Sequence, residues 1–139
     1  MMAGINKNRQ VKEIIKCGKD PVYFFNSYLK IQHPVRGLIP FDTFTFQDDC
    51  VQDFIDHRFN IILKSRQLGM STLSAAYAVW MAIFQRDKNI LVIATKLSVA
   101  QNFITKVKTM IRSLPSWLVL PQITANNKQL IEFSHGSSI

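Results

Sequence analysis

The chain contains little cysteine and no apolar run long enough to cross a membrane. Its two cysteines, Cys17 and Cys50, are too few and too far apart for a disulfide framework or a zinc knuckle. They indicate free thiols in a reducing cytoplasm. The longest apolar stretch, Leu73–Phe84, is too short to span a bilayer and predicts a buried helix. The N-terminus has no apolar segment behind its charges, which argues against secretion.

Acidic residues are also scarce. Asp and Glu number 9 against 17 Lys and Arg, which leaves a formal net charge of +8. This surplus favours a polyanionic partner through counterion release, and nucleic acid is the obvious candidate. A basic protein without such a partner fits the charge equally well. With 139 residues, 47% of them hydrophobic, the chain is long and apolar enough to fold as one domain.

The first part of the chain has the pattern of helices joined by a loop. Asp20-Pro21 has the form of an N-cap followed by proline in the first helical turn. Helical spacing of apolar residues returns at Phe46. We predict helices over Asn6–Lys16, Val22–Ile31 and Phe46–His57, and a loop over His33–Pro40.

After His57 the pattern changes to short apolar runs that alternate with helical segments. Asn60–Lys64 and Asn89–Thr95 are β-branched apolar runs, typical of strands covered on both faces. A polar turn, Ser65–Met70, follows the first run. Helices are predicted over Ser71–Gln85 and Ser98–Arg112, and short strands over Gln122–Thr124 and Gln129–Phe133 around an Asn126–Asn127 turn.

This order of elements predicts an α/β fold. Strand, turn, helix, strand and helix in succession favour a parallel sheet with helices on its faces. Ligands of such sheets bind at the carboxyl ends of the strands, and Ser65–Met70 lies at one of those ends.

The segment from Lys64 to Ser71 is a candidate phosphate-binding loop. The standard pattern is G-x-x-x-x-G-K-[ST], in which backbone amides and the lysine hold the phosphates and the hydroxyl binds Mg²⁺. Gly69 matches the second glycine and Ser71 the hydroxyl. Met70 stands in place of the lysine, and Lys64 in place of the first glycine.

These two departures leave two interpretations. The loop has lost its function, or its lysine has moved to the front, from where a flexible side chain can still aim an ammonium group inward. Arg66 is a second candidate cation for the transferred phosphate, in the manner of an arginine supplied in cis.

The segment Lys64–Thr72 resembles the Walker A segment of the large terminase subunits of tailed bacteriophages, the motors that pump DNA into procapsids. Phe46-Gln47 precedes it at about the spacing of that family's adenine-contacting glutamine. Ile90–Lys96 and the helix after it are similar to the elements that follow Walker A. Ile131–Ile139, with its Gly-Ser-Ser, resembles the next hairpin. The resemblance covers roughly residues 20–139.

The resemblance implies a binding site for ATP and Mg²⁺. It implies that Gln47 contacts adenine, that Lys64 or Arg66 contacts the phosphates, and that Ser71 binds Mg²⁺. Arg66 is then the candidate catalytic residue. Gly69 is the pivot of the loop and Thr72 its support. The whole implied cofactor-binding set is Gln47, Lys64, Ser65, Arg66, Gln67, Leu68, Gly69, Met70, Ser71 and Thr72.

The resemblance also implies an organisation and a set of partners. Residues 1–45 are expected to form an N-terminal helical segment and loop, and residues 46–139 the first part of a RecA-like P-loop ATPase domain. The expected activity is ATP-driven translocation of double-stranded DNA by a ring of subunits in the host cytoplasm, at the procapsid vertex. The expected partners are the portal protein, the small terminase subunit and the remaining part of the large terminase, with no membrane involved.

Some parts of a motor ATPase are missing from the sequence. No apolar run after Ile90–Thr95 ends in the Asp-Glu pair of a Walker B strand. We therefore expect a domain truncated before Walker B, which does not turn ATP over by itself. The alternative is a non-catalytic module that docks on nucleic acid or on the portal. Other candidates favour structural roles: His33, His57 and His135 are too scattered for a metal site, and Lys96, Lys106 and Lys108 fit a solvated helix face.

Overall fold

The computed structural model describes residues 7–139. These residues form five helices and four short strands. Within this range, no helix combines the length and the apolar character needed to cross a membrane. The elements are α1 (Lys7–Lys19), α2 (Pro21–Tyr28), β1 (Lys30–His33), β2 (Gly37–Pro40), α3 (Thr45–Asp56), α4 (Met70–Phe84), α5 (Leu97–Ser113), β3 (Ile123–Asn126) and β4 (Ile131–Phe133).

Helix α4 is the centre of the core. It is apolar on all sides, and a helix of this kind is stable only when other elements surround it. Its buried side chains include Leu73, Val79 and Trp80. Helix α5 packs along it with one apolar stripe, on which Ile104 and Val107 are buried. The helices predicted over Phe46–His57, Ser71–Gln85 and Ser98–Arg112 are confirmed to within one residue at each end.

Helices α1 and α2 are held on this core by buried and half-buried polar contacts. The Trp80 Nε1–H group donates a hydrogen bond of 2.8 Å to the Cys17 carbonyl. Glu13 Oε2 accepts hydrogen bonds from the Tyr28 hydroxyl at 2.7 Å and the Tyr23 hydroxyl at 2.8 Å. These bonds, that of Tyr28 first, hold the pKa of Glu13 below its ordinary value. The bond from Trp80 thus joins α1 to α4, and the two bonds to Glu13 join α2 to α1.

The predicted N-cap of α2 is confirmed. The Asp20 side chain accepts a hydrogen bond of 3.0 Å from the Tyr23 amide, and Pro21 occupies the first turn. The first predicted helix is confirmed and extends further, to Lys19. Its predicted first residue, Asn6, lies outside the described residues.

The predicted loop over His33–Pro40 was wrong, as was the extension of α2 to Ile31. Strands β1 and β2 form an antiparallel hairpin with Ile31 opposite Ile39 and His33 opposite Gly37. The Nδ1 atom of His33 accepts two backbone N–H bonds of 3.1 Å and so fixes the turn. Gly37, at φ +73°, completes it in a conformation that other residues rarely adopt. Two prolines suggested a loop, but a two-stranded hairpin has free edges that accept proline.

The prediction of an α/β composition is confirmed, but the predicted parallel sheet is not formed within residues 7–139. The sheets of the described chain are two small antiparallel pairs, β1–β2 and β3–β4. Neither Asn60–Lys64 nor Asn89–Thr95 is a strand. The one parallel pairing in this range is an isolated bridge between Asn89 and Ser138.

The physical reason is that a strand needs neighbours on its edges, whereas a helix satisfies its own backbone. Residues 59–63 and 91–95 form neither helix nor strand, and no other part of the described chain pairs with their backbone. Their apolar side chains consequently face solvent. Ile61 and Leu63 are fully exposed, and Leu91 and Ile93 are 82% and 84% exposed.

The two strands predicted near the C-terminus are confirmed as the hairpin β3–β4. Ser137 follows this hairpin and is buried. Its hydroxyl donates to the Gln85 carbonyl at 2.9 Å and accepts from the Lys88 amide at 3.2 Å. A Cβ atom on Gly136 would lie 2.2 Å from the Asp87 carboxylate, so only glycine fits there. The C-terminal segment thus fixes the turn that follows α4.

Candidate functional site

The segment 64–69, called the loop from here on, precedes α4 directly. All of its residues are exposed. Gln67 and Gly69 have positive φ angles of 62° and 71°, which turn the chain sharply into the helix. Gly69 is the N-cap residue, and the first helical bond runs from the Leu73 amide to the Gly69 carbonyl at 2.9 Å. The amides of residues 70–72 have no acceptor among the described residues and are free to bind an anion.

Gln47 of α3 contacts the loop through its side-chain amide. This α3 side chain is only 2% exposed, and both ends of its amide are used. Its Nε2 atom donates to the Leu68 carbonyl at 3.1 Å, and its Oε1 atom accepts from the Phe44 amide at 3.1 Å. A Cβ atom on Gly69 would lie 2.8 Å from Nε2. The structure therefore places Gln47 as a clamp between α3 and the loop, with one N–H and one lone pair left for other partners.

The cations of the loop are solvent-exposed. The Lys64 ammonium group donates a hydrogen bond of 3.4 Å to the Ser65 carbonyl, so it folds back on its own loop. Arg66 has no hydrogen bond or ion pair within residues 7–139. Met70, in the position of the standard lysine, is 6% exposed and packs in the core. Position 70 therefore contributes no charge to the loop.

The first turn of α4 carries two hydroxyl groups. Ser71 is exposed, while Thr72 is half-buried. The Thr72 Oγ1 atom lies 3.1 Å from the Lys106 ammonium group, which reaches it from α5. The sequence suggested only a solvated face for Lys106. No local pattern could reveal the contact, because Lys106 and Thr72 are distant in sequence and meet only after α4 and α5 have packed.

A cleft of about 750 Å³ opens beside the loop. Its walls come from the β1–β2 hairpin, the start of α3, the end of the loop and Thr72. Two exposed aromatic rings, Phe44 and Phe46, stand at this cleft with centroids 5.7 Å apart and planes only 7° from parallel. Such rings offer a flat apolar surface to a planar ligand. The sequence placed Phe46 on an apolar helix face, and its role in this wall required the folded hairpin.

Carboxylates are sparse at this site. Asp42 is the one carboxylate that lines the cleft. In the described range, no group of three His, Cys, Asp or Glu side chains is arranged to hold a metal ion. The site is therefore rich in free amides, hydroxyls and cations, which is the chemistry that binds phosphate groups.

Comparison with protein families identifies the family of this chain. Residues 61–139, more than half of the chain, match the family described as terminase large subunit, T4-like virus type, N-terminal. The chain belongs to this family. The terminase match begins three residues before the loop and continues through α4, α5 and the β3–β4 hairpin.

Membership of the terminase family confirms the resemblance drawn from the loop motif. It places the chain with the large-subunit proteins of phage DNA packaging, which work with other terminase and portal components. Gln47 and the aromatic wall of the cleft lie before the matched residues. Their connection to the terminase loop thus rests on the contact between Gln47 and Leu68.

Proposed function

We propose that this terminase chain binds ATP with Mg²⁺ at residues 64–72, as part of a motor that couples ATP hydrolysis to translocation of double-stranded DNA into procapsids. One observation carries the proposal: a glycine-pivoted, cationic loop opens directly into α4, whose first amides are unpaired. The proposal gives this geometry a ligand, because a phosphate chain takes up free amides and positive charge together.

The residues of the loop fit phosphate groups. The first turn of α4 contains no acidic residue that would repel an anion. Gly69 lets the backbone approach closely, since it has no Cβ and already holds the left-handed conformation. Lys64 and Arg66 lie at the front of the loop and are free to turn toward a bound anion. The remaining loop residues, Ser65, Gln67 and Leu68, would contribute through their backbone.

The cleft beside the loop fits a base. Its volume lies within the range of about 300–1,000 Å³ that is usual for small-molecule sites. Phe46 would stack on adenine, and Gln47 would keep the loop in register with that ring. The free N–H and lone pair of Gln47 could contact the base as well. This assigns Gln47 a positioning role first and an adenine contact second.

Magnesium would need few ligands from this chain. Mg²⁺ in nucleotide sites keeps several waters and takes one or two protein oxygens besides the phosphates. The exposed hydroxyl of Ser71, at the start of α4, is the ligand we propose. When bound, the ion neutralises charge on the phosphates. Arg66, without a partner among the described residues, would stabilise charge on the transferred phosphate.

The proposed motor acts with other components. We propose the portal protein, the small terminase subunit, the remaining part of the large terminase and double-stranded DNA as partners of a ring assembly in the host cytoplasm. The net charge of +8 supports a polyanionic partner, since cations on a protein release counterions from nucleic acid.

A second candidate function is a non-catalytic module that docks on nucleic acid or on the portal. The observation that favours it is Met70, which replaces the standard lysine with a buried apolar side chain. According to this second candidate function, the loop keeps its conformation but no longer binds a nucleotide.

Calorimetric titration of a magnesium-bound, non-hydrolysable ATP analogue separates the two functions. The motor proposal expects saturable binding by the chain and weaker binding by Lys64→Ala. The docking module expects no binding by the chain, and restored binding by Met70→Lys would then identify a decayed loop. An absence of binding in all three proteins would contradict the proposed nucleotide site of this chain.

A further inference from the structure

We propose that Lys106 supplies to the nucleotide phosphates the positive charge that position 70 lacks. The inference rests on the proposed function of the loop and names a further binding residue for it. The chemical class of ligand is a nucleoside triphosphate, held by its terminal phosphates. The charge thus comes from α5, the neighbouring helix, rather than from the loop itself.

The first observation is the charge missing from the start of α4. The Met70 side chain is 6% exposed and packs in the core, so position 70 supplies no charge to the loop. The Lys64 ammonium group donates to the carbonyl of its neighbour Ser65, at the end of the loop that precedes Gly69 and α4. Among the described residues, the hydrogen bond of Lys64 does not reach the first turn of α4, and Arg66 makes none.

The second observation is the position of the Lys106 ammonium group. It lies 3.1 Å from the hydroxyl of Thr72, the third residue of α4. Thr72 lines both the cleft beside the loop and the groove of about 370 Å³ in which Lys106 lies. Lys106 thus contacts a residue that lines the proposed nucleotide cleft. An ammonium group has three N–H donors, and the Thr72 contact uses one of them.

The third observation is electrostatic. A cation near the N-terminus of a helix is unfavourable, since the helix dipole is positive there. No carboxylate forms an ion pair with Lys106 within residues 7–139. Lys106 is thus set in a positive region without an anion to balance it. A bound triphosphate would balance Lys106, the helix end and the loop cations together.

The assignment has a structural consequence for the motor. Lys106 belongs to α5, which packs along α4 and also touches β1. A phosphate held by both helices would make the α4–α5 packing sensitive to the terminal phosphate. Loss of that phosphate would release Lys106 while leaving the loop amides engaged.

The test measures affinity for magnesium-bound AMP-PNP and ADP by calorimetry, in the chain and its variants. Lys106→Gln keeps a donor for Thr72 but removes the charge, and Lys106→Ala removes both. We expect both variants to bind the triphosphate analogue about tenfold more weakly, as expected for the loss of a charged hydrogen bond, with a smaller change for ADP.

Lys108→Ala is the matched control. Lys108 lies on the same helix but donates to the Asn127 carbonyl of the β3–β4 turn. Its removal should leave nucleotide affinity within about twofold, since the lost charge is not at the phosphates. If the unaltered chain binds no nucleotide, the proposed function fails and this inference with it. If the chain binds but the Lys106 variants bind the triphosphate analogue equally well, only the inference is overturned.

Discussion

Helix α4 and the segments 59–63 and 91–95, which form neither helix nor strand, contain similar apolar residues but lie in opposite environments. Leu73 of α4 is completely buried, whereas Leu63 is fully exposed and Leu91 nearly so. The difference lies in the backbone. A helix satisfies its own hydrogen bonds and needs neighbours only for its side chains, while an extended segment needs a partner for both. An apolar run therefore specifies burial in a helix more directly than in a strand.

A further cavity borders the exposed segment 91–95. A space of about 400 Å³ lies between residues 89–92, helix α5 and the C-terminal hairpin. It is lined by Leu91 and Ile139, and it is separate from the loop. Leu91 is 82% exposed, so no packed layer covers this side of the space.

The same substitution placed in the two regions should give the largest contrast. Leu73→Ala creates a cavity inside the core and should lower the free energy of unfolding by about 2–5 kcal/mol. Leu63→Ala removes no packed contacts and should change it by less than about 0.5 kcal/mol. Chemical denaturation followed by circular dichroism measures both. Equal losses for the two variants would mean that residues 59–63 are covered in solution.

Glycine substitutions compare the loop with the hairpin. Gly69→Ala and Gly37→Ala both place a side chain at a φ angle near +70°, which costs about 1–2 kcal/mol in stability. At Gly37 nothing lies within 4 Å of the new Cβ, whereas at Gly69 it lies 2.8 Å from Gln47 Nε2. We expect Gly69→Ala to be the more destabilising by thermal unfolding. Equal effects would contradict the close approach of Gln47 to the loop.

Two glutamines of α3 compare the site with the surface. Gln47→Ala breaks two hydrogen bonds between α3, Phe44 and the loop, and should cost about 1–2 kcal/mol of stability. Gln52→Ala loses one exposed bond to Asp56 and should cost less than about 0.5 kcal/mol. Hydrogen exchange of the loop amides should rise only for Gln47→Ala. Unchanged hydrogen exchange of the loop amides in both variants would contradict the role of Gln47 as a clamp.

The smallest predicted effect is a pH dependence set by Glu13 at the α1–α2 contact. Because its pKa is lowered in the folded state, Glu13 stabilises the fold above its ordinary pKa of 4.5. That contribution is lost as the pH falls through the lower folded value. Glu13→Gln should flatten the stability profile in this acidic range, and Tyr28→Phe should flatten it partly. A profile unchanged by Glu13→Gln would contradict the two tyrosine hydrogen bonds.

Local patterns were sufficient to predict the five helices, although the predicted end of α2 was wrong. Helix α4 follows from an uninterrupted run of good helix formers, and α2 from the Asp20-Pro21 cap. The β1–β2 hairpin was missed because its prolines suggested a loop and its turn depends on the His33 side chain. The prediction of parallel strands was wrong because a strand forms only with a pairing partner, and the local sequence pattern does not specify that partner.

The same distinction between local patterns and long-range contacts applies to the candidate site. The loop and its glycine pivot were identified from the motif, since Gly69 and Ser71 act through positions fixed relative to one helix. The clamp by Gln47 and the contact of Lys106 with Thr72 are long-range and depend on packing. The family match confirms the terminase assignment for residues 61–139, while the roles of individual site residues stay predictions.

The central claim is that residues 64–72 bind the phosphates of ATP. The most direct test is an amide NMR titration of the chain with magnesium-bound AMP-PNP. We predict that the largest shifts fall on residues 65–72, with Gly69 and Ser71 foremost, and that Gly69→Ala abolishes them. Saturable shifts centred on Leu91 and the cavity that it lines, or no shifts at any ligand concentration, would contradict the account.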